Sequence, residues 1–294
     1  MTPAIELDNV SVSYTATWPQ HAPGRLALGG VSLSIAPASI YGLVGESGSG
    51  KSTLARTVLR LLRPESGTIR VDGADPYALK GQDLLAFRRS IQPIFQDSMA
   101  ALDPRIRIGD SLRMVLDLHA VGPATGRRQA VQTLLEGVGL DGGLASRFPH
   151  QISGGQRQRV TIARALSISP RILVADEPVS ALDLSVQAQI LDLLSALCRD
   201  RGMTMLFISH DLGIVRRIAD RVAVMHDGRI VEAGLVEDVF RSPRADYTRT
   251  LMTSIPRVDF SRLSALREPS APLHRSSGQG QRTADQGEPM ASGD

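Results

Sequence analysis

The sequence predicts an α/β fold with a mostly parallel core sheet, N-terminal antiparallel strands and an inserted α-helical subdomain. Three observations carry that prediction. A short apolar run, Ile40 to Val44, ends in a glycine loop and leads into Thr53 to Leu62, whose apolar residues recur at helical spacing: strand, loop, helix. Apolar runs at Arg171 to Ala175, Met203 to Ser209 and Arg221 to Met225 have the length and content of buried strands. They are separated by helical stretches such as Leu184 to Leu197, the pattern of parallel strands joined by crossover helices. Between the two halves, from about Asp97 to Gln151, the strand signal disappears.

Taken in order, Ile5 to Tyr14 alternates as I-E-L-D-N-V-S-V-S-Y and Val31 to Ile35 does the same, predicting two N-terminal strands. The uncharged run from Leu26 to Gly45 has about the length of a membrane span, but Pro37, its glycines and its V-S-L-S-I alternation argue against a transmembrane helix. Leu112, Val115 and Leu116, then Val131, Leu134, Leu135 and Val138, recur at helix spacing. They place a helical subdomain at about 97–160, with the turn I-S-G-G-Q at its far edge. A domain over 1–256 is expected, closing with a segment at about 232–256, and then a tail, 257–294, rich in Ser, Gly, Gln, Pro and Arg. That tail is expected to be disordered from about Pro269. It holds five arginines against five acids, so it is no polybasic membrane anchor.

Composition excludes several classes. A net charge of +3, dispersed along 294 residues, does not point to nucleic-acid binding. The lone Cys198 excludes an internal disulfide and any cysteine-rich zinc or iron–sulfur site. M-T-P-A-I-E-L-D lacks a signal-peptide pattern, so a cytosolic chain is expected. Of the 33 basic residues only Lys51 and Lys80 are lysine. Where arginine serves almost everywhere else, Lys51 marks a place where it would not.

That place is G-E-S-G-S-G-K-S, Gly45 to Ser52, which fits G-x-x-x-x-G-K-[ST] between a strand and a helix. Glycines let successive N–H groups point inward, Lys51 reaches outer phosphates as a compact charge, and the Ser52 hydroxyl can ligate magnesium. Arginine's planar fork would not thread that curl. At the end of R-I-L-V-A-D-E-P, Asp176 and Glu177 emerge at the same carboxyl edge of the sheet. An acidic pair there is by itself a common solvated turn. Beside a phosphate loop, Asp176 is placed to orient magnesium and Glu177 to polarise the water that attacks a γ-phosphate. Gln96 and His210 each follow a short apolar strand and are candidates to reach the γ-phosphate and the magnesium. A second glycine turn, I-S-G-G-Q-R-Q-R from Ile152 to Arg159, also opens a helix and so also suits an anion.

In this order the motifs resemble those of the nucleotide-binding subunits of ATP-binding cassette (ABC) transporters, over roughly Ile5 to Pro256. They are the aromatic Tyr14, the loop Gly45 to Ser52, Gln96, the signature S-G-G-Q at Ser153 to Gln156, Asp176-Glu177, S-A-L-D at Ser180 to Asp183, and His210. Q-D-S-M-A-A-L-D-P-R, F-P-H-Q-I-S-G-G-Q-R-Q-R and A-D-Y-T-R-T-L-M-T-S-I-P are similar to the oligopeptide, dipeptide and nickel importer branch. Ile152 departs from the family's usual leucine, Ala245-Asp246 stand where the branch often has His-Pro, and the cysteine cluster some members carry near the C-terminus is missing.

The resemblance implies a P-loop NTPase fold and an ATPase using ATP and Mg2+. Gly45, Glu46, Ser47, Gly48, Ser49, Gly50, Lys51, Ser52 and Thr53 would hold the phosphates, and Tyr14 would stack on adenine, with Trp18 as its competitor. Ser52, Gln96 and Asp176 would serve the metal, and Glu177, Gln96 and His210 the hydrolysis. It also implies head-to-tail pairing of two cassettes, so that Ser153, Gly154, Gly155, Gln156 and Asp183 face the ATP held by the partner's loop. Permease subunits, a second like or related cassette and an extracytoplasmic solute-binding protein are the implied partners, at the cytoplasmic face of the inner membrane. A soluble cassette ATPase acting on nucleic acid or ribosomes, and an exporter cassette, are the alternatives.

Overall fold

The computed structural model describes residues 2–14, 25–97 and 99–253. Trp18 and the tail lie outside the described residues. The elements are β1 (Ile5–Tyr14), β2 (Arg25–Ile35), β3 (Ile40–Val44), α1 (Lys51–Val58), β4 (Ser66–Val71), α2 (Gly81–Ser90), β5 (Ile91–Ile94), α3 (Ile108–Leu118), α4 (Arg127–Glu136) and α5 (Gly154–Leu166). Then follow β6 (Ile172–Asp176), α6 (Leu184–Asp200), β7 (Thr204–Ser209), α7 (Leu212–Ile218), β8 (Arg221–His226), β9 (Arg229–Leu235), α8 (Val236–Arg241) and α9 (Asp246–Thr253).

A six-stranded sheet runs in the order β5-β6-β7-β3-β8-β9, parallel throughout except for the β8–β9 hairpin. All five residues of β3 are buried, as a central strand covered on both faces requires. A smaller antiparallel sheet, β2-β1-β4, packs with α1 on one face. There Tyr41, Leu43, Ile172, Val174, Leu206 and Ile208 meet Ile5, Val10, Ile35 and Leu54. The alternate residues of the same strands, among them Val44, Leu173, Ala175 and Phe207, point to the other face. They share its core with α5, α6 and α7 and with Leu112, Leu116, Val131 and Leu135 of the helical region, which is thus continuous with the main core. Among the described residues no helix is long and apolar enough to cross a membrane.

Two elements differ from their sequence expectation for local reasons. β2 starts at Arg25 rather than Val31, because Gly29-Gly30 hides a bulged stretch opposite Asn9. Asn9 and Gly30 take positive φ of 50° and 67°, and the Ser11 and Ser32 hydroxyls accept the N–H groups of Gly30 and Asn9. α1 stops at Val58 rather than Leu62 because Arg60 turns left-handed, φ 57°. The Tyr77 hydroxyl then lies 2.6 Å from the carbonyls of both Thr57 and Leu62 and closes that end.

Candidate functional site

The loop after β3 packs too closely at two of its glycines to admit a side chain there. A Cβ on Gly45 would stand 2.1 Å from the Met225 carbonyl oxygen, and one on Gly50, at φ 104°, 2.4 Å from that of Ala27. Inside the curl the Lys51 ammonium donates to the carbonyls of Gly45 and Glu46, both at 2.7 Å, and to the Ser49 hydroxyl at 3.3 Å. Its three protons are therefore held by the loop itself. Burial pushes the Lys51 pKa down, while Glu177, Asp176 and Glu46 push the other way.

The parallel strands deliver the acidic groups to the same edge. Ser52, in the first turn of α1, donates to Asp176 Oδ1 at 3.1 Å, and burial raises the Asp176 pKa although that hydrogen bond opposes it. Glu177 follows β6 in a left-handed conformation, φ 48°, held by its N–H on the Ile208 carbonyl of β7. Such a backbone costs about 1–3 kcal/mol for a residue with a side chain and clusters at functional sites. Its side chain is 18% exposed, with Oε2 3.1 Å from Nδ1 of His210 just beyond β7. Gln96, two residues past β5, is exposed.

Tyr14, Ser47, Gly48, Gly50, Lys51, Ser52, Thr53, Gln96 and Glu177 together line one cleft of about 490 Å3. Tyr14 also bonds Thr53 through their hydroxyls, 3.2 Å apart. Asp176 and His210 are not among the lining residues: Asp176 accepts from Ser52, and His210 Nδ1 lies 3.1 Å from Glu177 Oε2. The sequence reading missed Leu26, Ala27, Asp227 and Gly228, which line the same cleft. A signal for the last two was present: Asp-Gly between apolar runs marks a tight hairpin, and here both residues have positive φ. A larger cavity, about 710 Å3, sits between α3, α4 and the 142–146 turn and shares no residue with this cleft.

The second glycine turn stands apart from the cleft lining. Ser153 caps α5 through a reciprocal pair: its hydroxyl accepts from Gln156 N–H at 3.2 Å, and Gln156 Oε1 accepts from Ser153 N–H at 3.0 Å. The N–H groups of Gly154 and Gly155, in the first turn, have no intrahelical acceptor by position. Gly155 also has a packing duty, since a Cβ there would meet Val186 Cγ1 of α6 at 2.5 Å. Asp183, exposed, precedes α6 on that same side.

A phosphate loop, an acidic strand end and a detached glycine turn are the parts of an ATP-binding cassette, and a family model described as ABC transporter matches residues 28–180. The chain belongs to the ABC transporter family. As a member it is an ATP-binding cassette and an ATPase. It is 43% identical to the oligopeptide transport ATP-binding protein OppF of Streptococcus mutans, over 87% of this chain and 82% of that protein. To a putative peptide import ATP-binding protein of Brucella ovis it is 48% identical, over 79% of this chain and 73% of that one. Among solved structures the fold matches the dimeric post-hydrolysis state of the cassette MJ0796, bound to ADP and phosphate. That match has a TM-score of 0.69 and 29% identity, covering 79% of this chain and 98% of the other.

Proposed function

We propose that this cassette is the ATP-hydrolysing subunit of a peptide importer and that hydrolysis takes place in the cleft at the end of β3 and β6. The observation that carries the reading is the convergence of Lys51, Ser52, Gln96 and Glu177 on that one cleft. Import of peptides is supported by the names of the relatives above and by the branch-like segments at 96–105 and 245–256.

In this reading Lys51 leaves the Gly45 and Glu46 carbonyls for the outer phosphates, whose charge replaces the contacts it gives up. Tyr14 offers an aromatic face for adenine. Glu177, held by His210, takes the proton from the water that attacks the γ-phosphorus. Ser52, Asp176 and Gln96 fit Mg2+ in donor type: they are oxygen ligands, and few. Among the described residues no group of three His, Cys, Asp or Glu could form a dedicated metal cage, which suits an ion shared with phosphates. When bound, Mg2+ would neutralise charge on the β- and γ-phosphates.

The turn Ser153–Gln156 and Asp183 serve the ATP of a second cassette. Their position outside the cleft and the free N–H groups of Gly154 and Gly155 support that assignment, as does the dimeric state named for MJ0796. ATP would then join two subunits, and closure would reach a membrane permease beside Gln96, where Phe95 and Met99 are exposed. The cassette would sit on the cytoplasmic side of that permease, in a system with an extracytoplasmic solute-binding protein.

The test is Glu177→Gln in the full chain. Phosphate release falls by about a hundredfold or more, the scale of a lost general base, while ATP still binds and drives dimerisation. Undiminished release would remove Glu177 from this role. Copurification of multi-span permeases from gently solubilised membranes tests the transport half. A nucleic-acid or ribosomal set with no membrane protein would overturn it.

A further inference from the structure

The phosphate loop is held from outside by a pair of groups that lie in none of the nucleotide motifs, one of them within the branch-like segment 245–256. At one point the Gly228 N–H, in the β8–β9 turn, donates to the Ser49 carbonyl at 3.0 Å. Earlier in the loop, the Glu46 N–H donates to the phenolic oxygen of Tyr247, in α9, at 3.2 Å. The two anchors are themselves joined. Tyr247 stacks on His226, two residues before Gly228, with ring centroids 3.8 Å apart and planes at 24°. The start of α9 is fastened in turn, because the Glu232 carboxylate accepts the N–H groups of Arg244 and Ala245 at 2.8 and 3.1 Å.

This contact matters because the loop works through the direction of its N–H groups. Successive peptides share atoms, so fixing the Glu46 N–H on an acceptor outside the cleft also fixes the plane from which the Ser47 and Gly48 amides follow. The Glu46 carbonyl, one atom group further on, is an acceptor for the buried Lys51 ammonium. Glu46 is thus held by Tyr247 through its N–H and by Lys51 through its C=O.

We infer that Tyr247 is a positioning residue for ATP: its hydroxyl holds the Glu46 peptide so that the remaining amides of the loop face the phosphates, and it ties α9 to the occupancy of the site. The inference rests on the reading of Gly45–Ser52 as the nucleotide loop. Tyr247 touches no reacting atom, so its contribution is made equally to ground and transition states and appears in affinity rather than turnover. Linkage makes the effect reciprocal: bound ATP stiffens α9.

The experiment is a thermodynamic cycle on the full chain, with ATP affinity measured by calorimetry for wild type, Tyr247→Phe, Glu46→Pro and the double variant. Phenylalanine keeps the stack on His226 and removes only the acceptor, while proline removes the donor. Tyr247→Phe should weaken ATP binding about threefold to tenfold, the scale of one net hydrogen bond, with turnover at saturating ATP nearly unchanged. In the Glu46→Pro background it should have no further effect. Unchanged affinity in Tyr247→Phe, or the same loss in both backgrounds, overturns the inference. Should the proline variant not fold, amide exchange decides: Tyr247→Phe must speed exchange over 45–50, and ATP must slow exchange in α9 of the wild type only. Equal exchange in both proteins refutes it. Lys51→Ala serves as the separate control, because wild-type ATP affinity in that variant would refute the loop assignment itself.

Discussion

Gly45–Ser52 and Ser153–Gln156 both set glycines ahead of a helix, yet they are held in opposite ways. The first is a closed curl. Gly48 and Gly50 take positive φ, Gly45 and Gly50 lie against carbonyls of other strands, and Lys51 is folded into the centre. The second is open and self-sufficient. Ser153 sits at φ −68°, its cap comes from Gln156, and its one sterically demanding glycine, Gly155, faces a side chain of α6. The loop proposed to enclose ATP is held from outside by β2, β8–β9 and α9. The turn proposed to face a second cassette carries its support in its own side chains.

The largest expected effect tests the closed loop. Lys51→Ala should raise the Kd for ATP at least tenfold, since the variant loses the one cation inside the curl. Lys51→Arg should not restore it: the ammonium fills a space bounded by two carbonyls 2.7 Å away, and a planar fork cannot occupy that space without opening the loop. Calorimetric titration of ATP into the three proteins reads this directly. Wild-type affinity in Lys51→Arg would mean that the curl is looser than its contacts imply.

The presence of both turns was legible in the sequence, though not how each is held, and what escaped did so for physical reasons. The phosphate loop, the acidic strand end and the order of motifs depend on residue types at short spacing. So does β1, whose alternation from Ile5 to Tyr14 follows one buried face. The Glu46–Tyr247 contact spans 201 positions and involves an ordinary tyrosine, so nothing local announces it. β9 escaped because an edge strand alternating between exposed and half-buried residues has little apolar signal. The duty of Gly155 against Val186 depends on how close α5 and α6 approach, which spacing along one helix does not reveal.

A smaller effect tests the open turn. Gly155→Ala should destabilise the nucleotide-free chain by about 1–3 kcal/mol, the usual cost of overpacking, because the new methyl would stand 2.5 Å from Val186 Cγ1. Gly154→Ala should cost less, its nearest neighbour being Leu182 Cδ2 at 3.5 Å. Thermal unfolding orders the two, and Val186→Ala should recover the loss in Gly155→Ala. If it does not, the glycine is there for its backbone and the two turns are more alike than their packing suggests.

The smallest effect concerns the acidic edge beside the closed loop. Burial raises the Asp176 pKa, so the folded chain holds that proton more tightly than the unfolded one does. The stabilisation associated with the neutral form is fully present below the ordinary carboxylate pKa and is lost as pH rises through the raised value. At neutral pH the folded chain therefore carries a desolvated carboxylate at a cost. Asp176→Asn, which can still accept from Ser52, should raise the unfolding midpoint of the nucleotide-free chain at pH 7, and the gain should shrink as the pH is lowered into the carboxylate range. The same variant should lose ATP turnover if the carboxylate serves the metal. A lower midpoint at pH 7 would mean that attraction to Lys51 and Arg56, rather than burial, governs this aspartate, and the edge would then be a paired structural feature instead of a strained site kept for its chemistry.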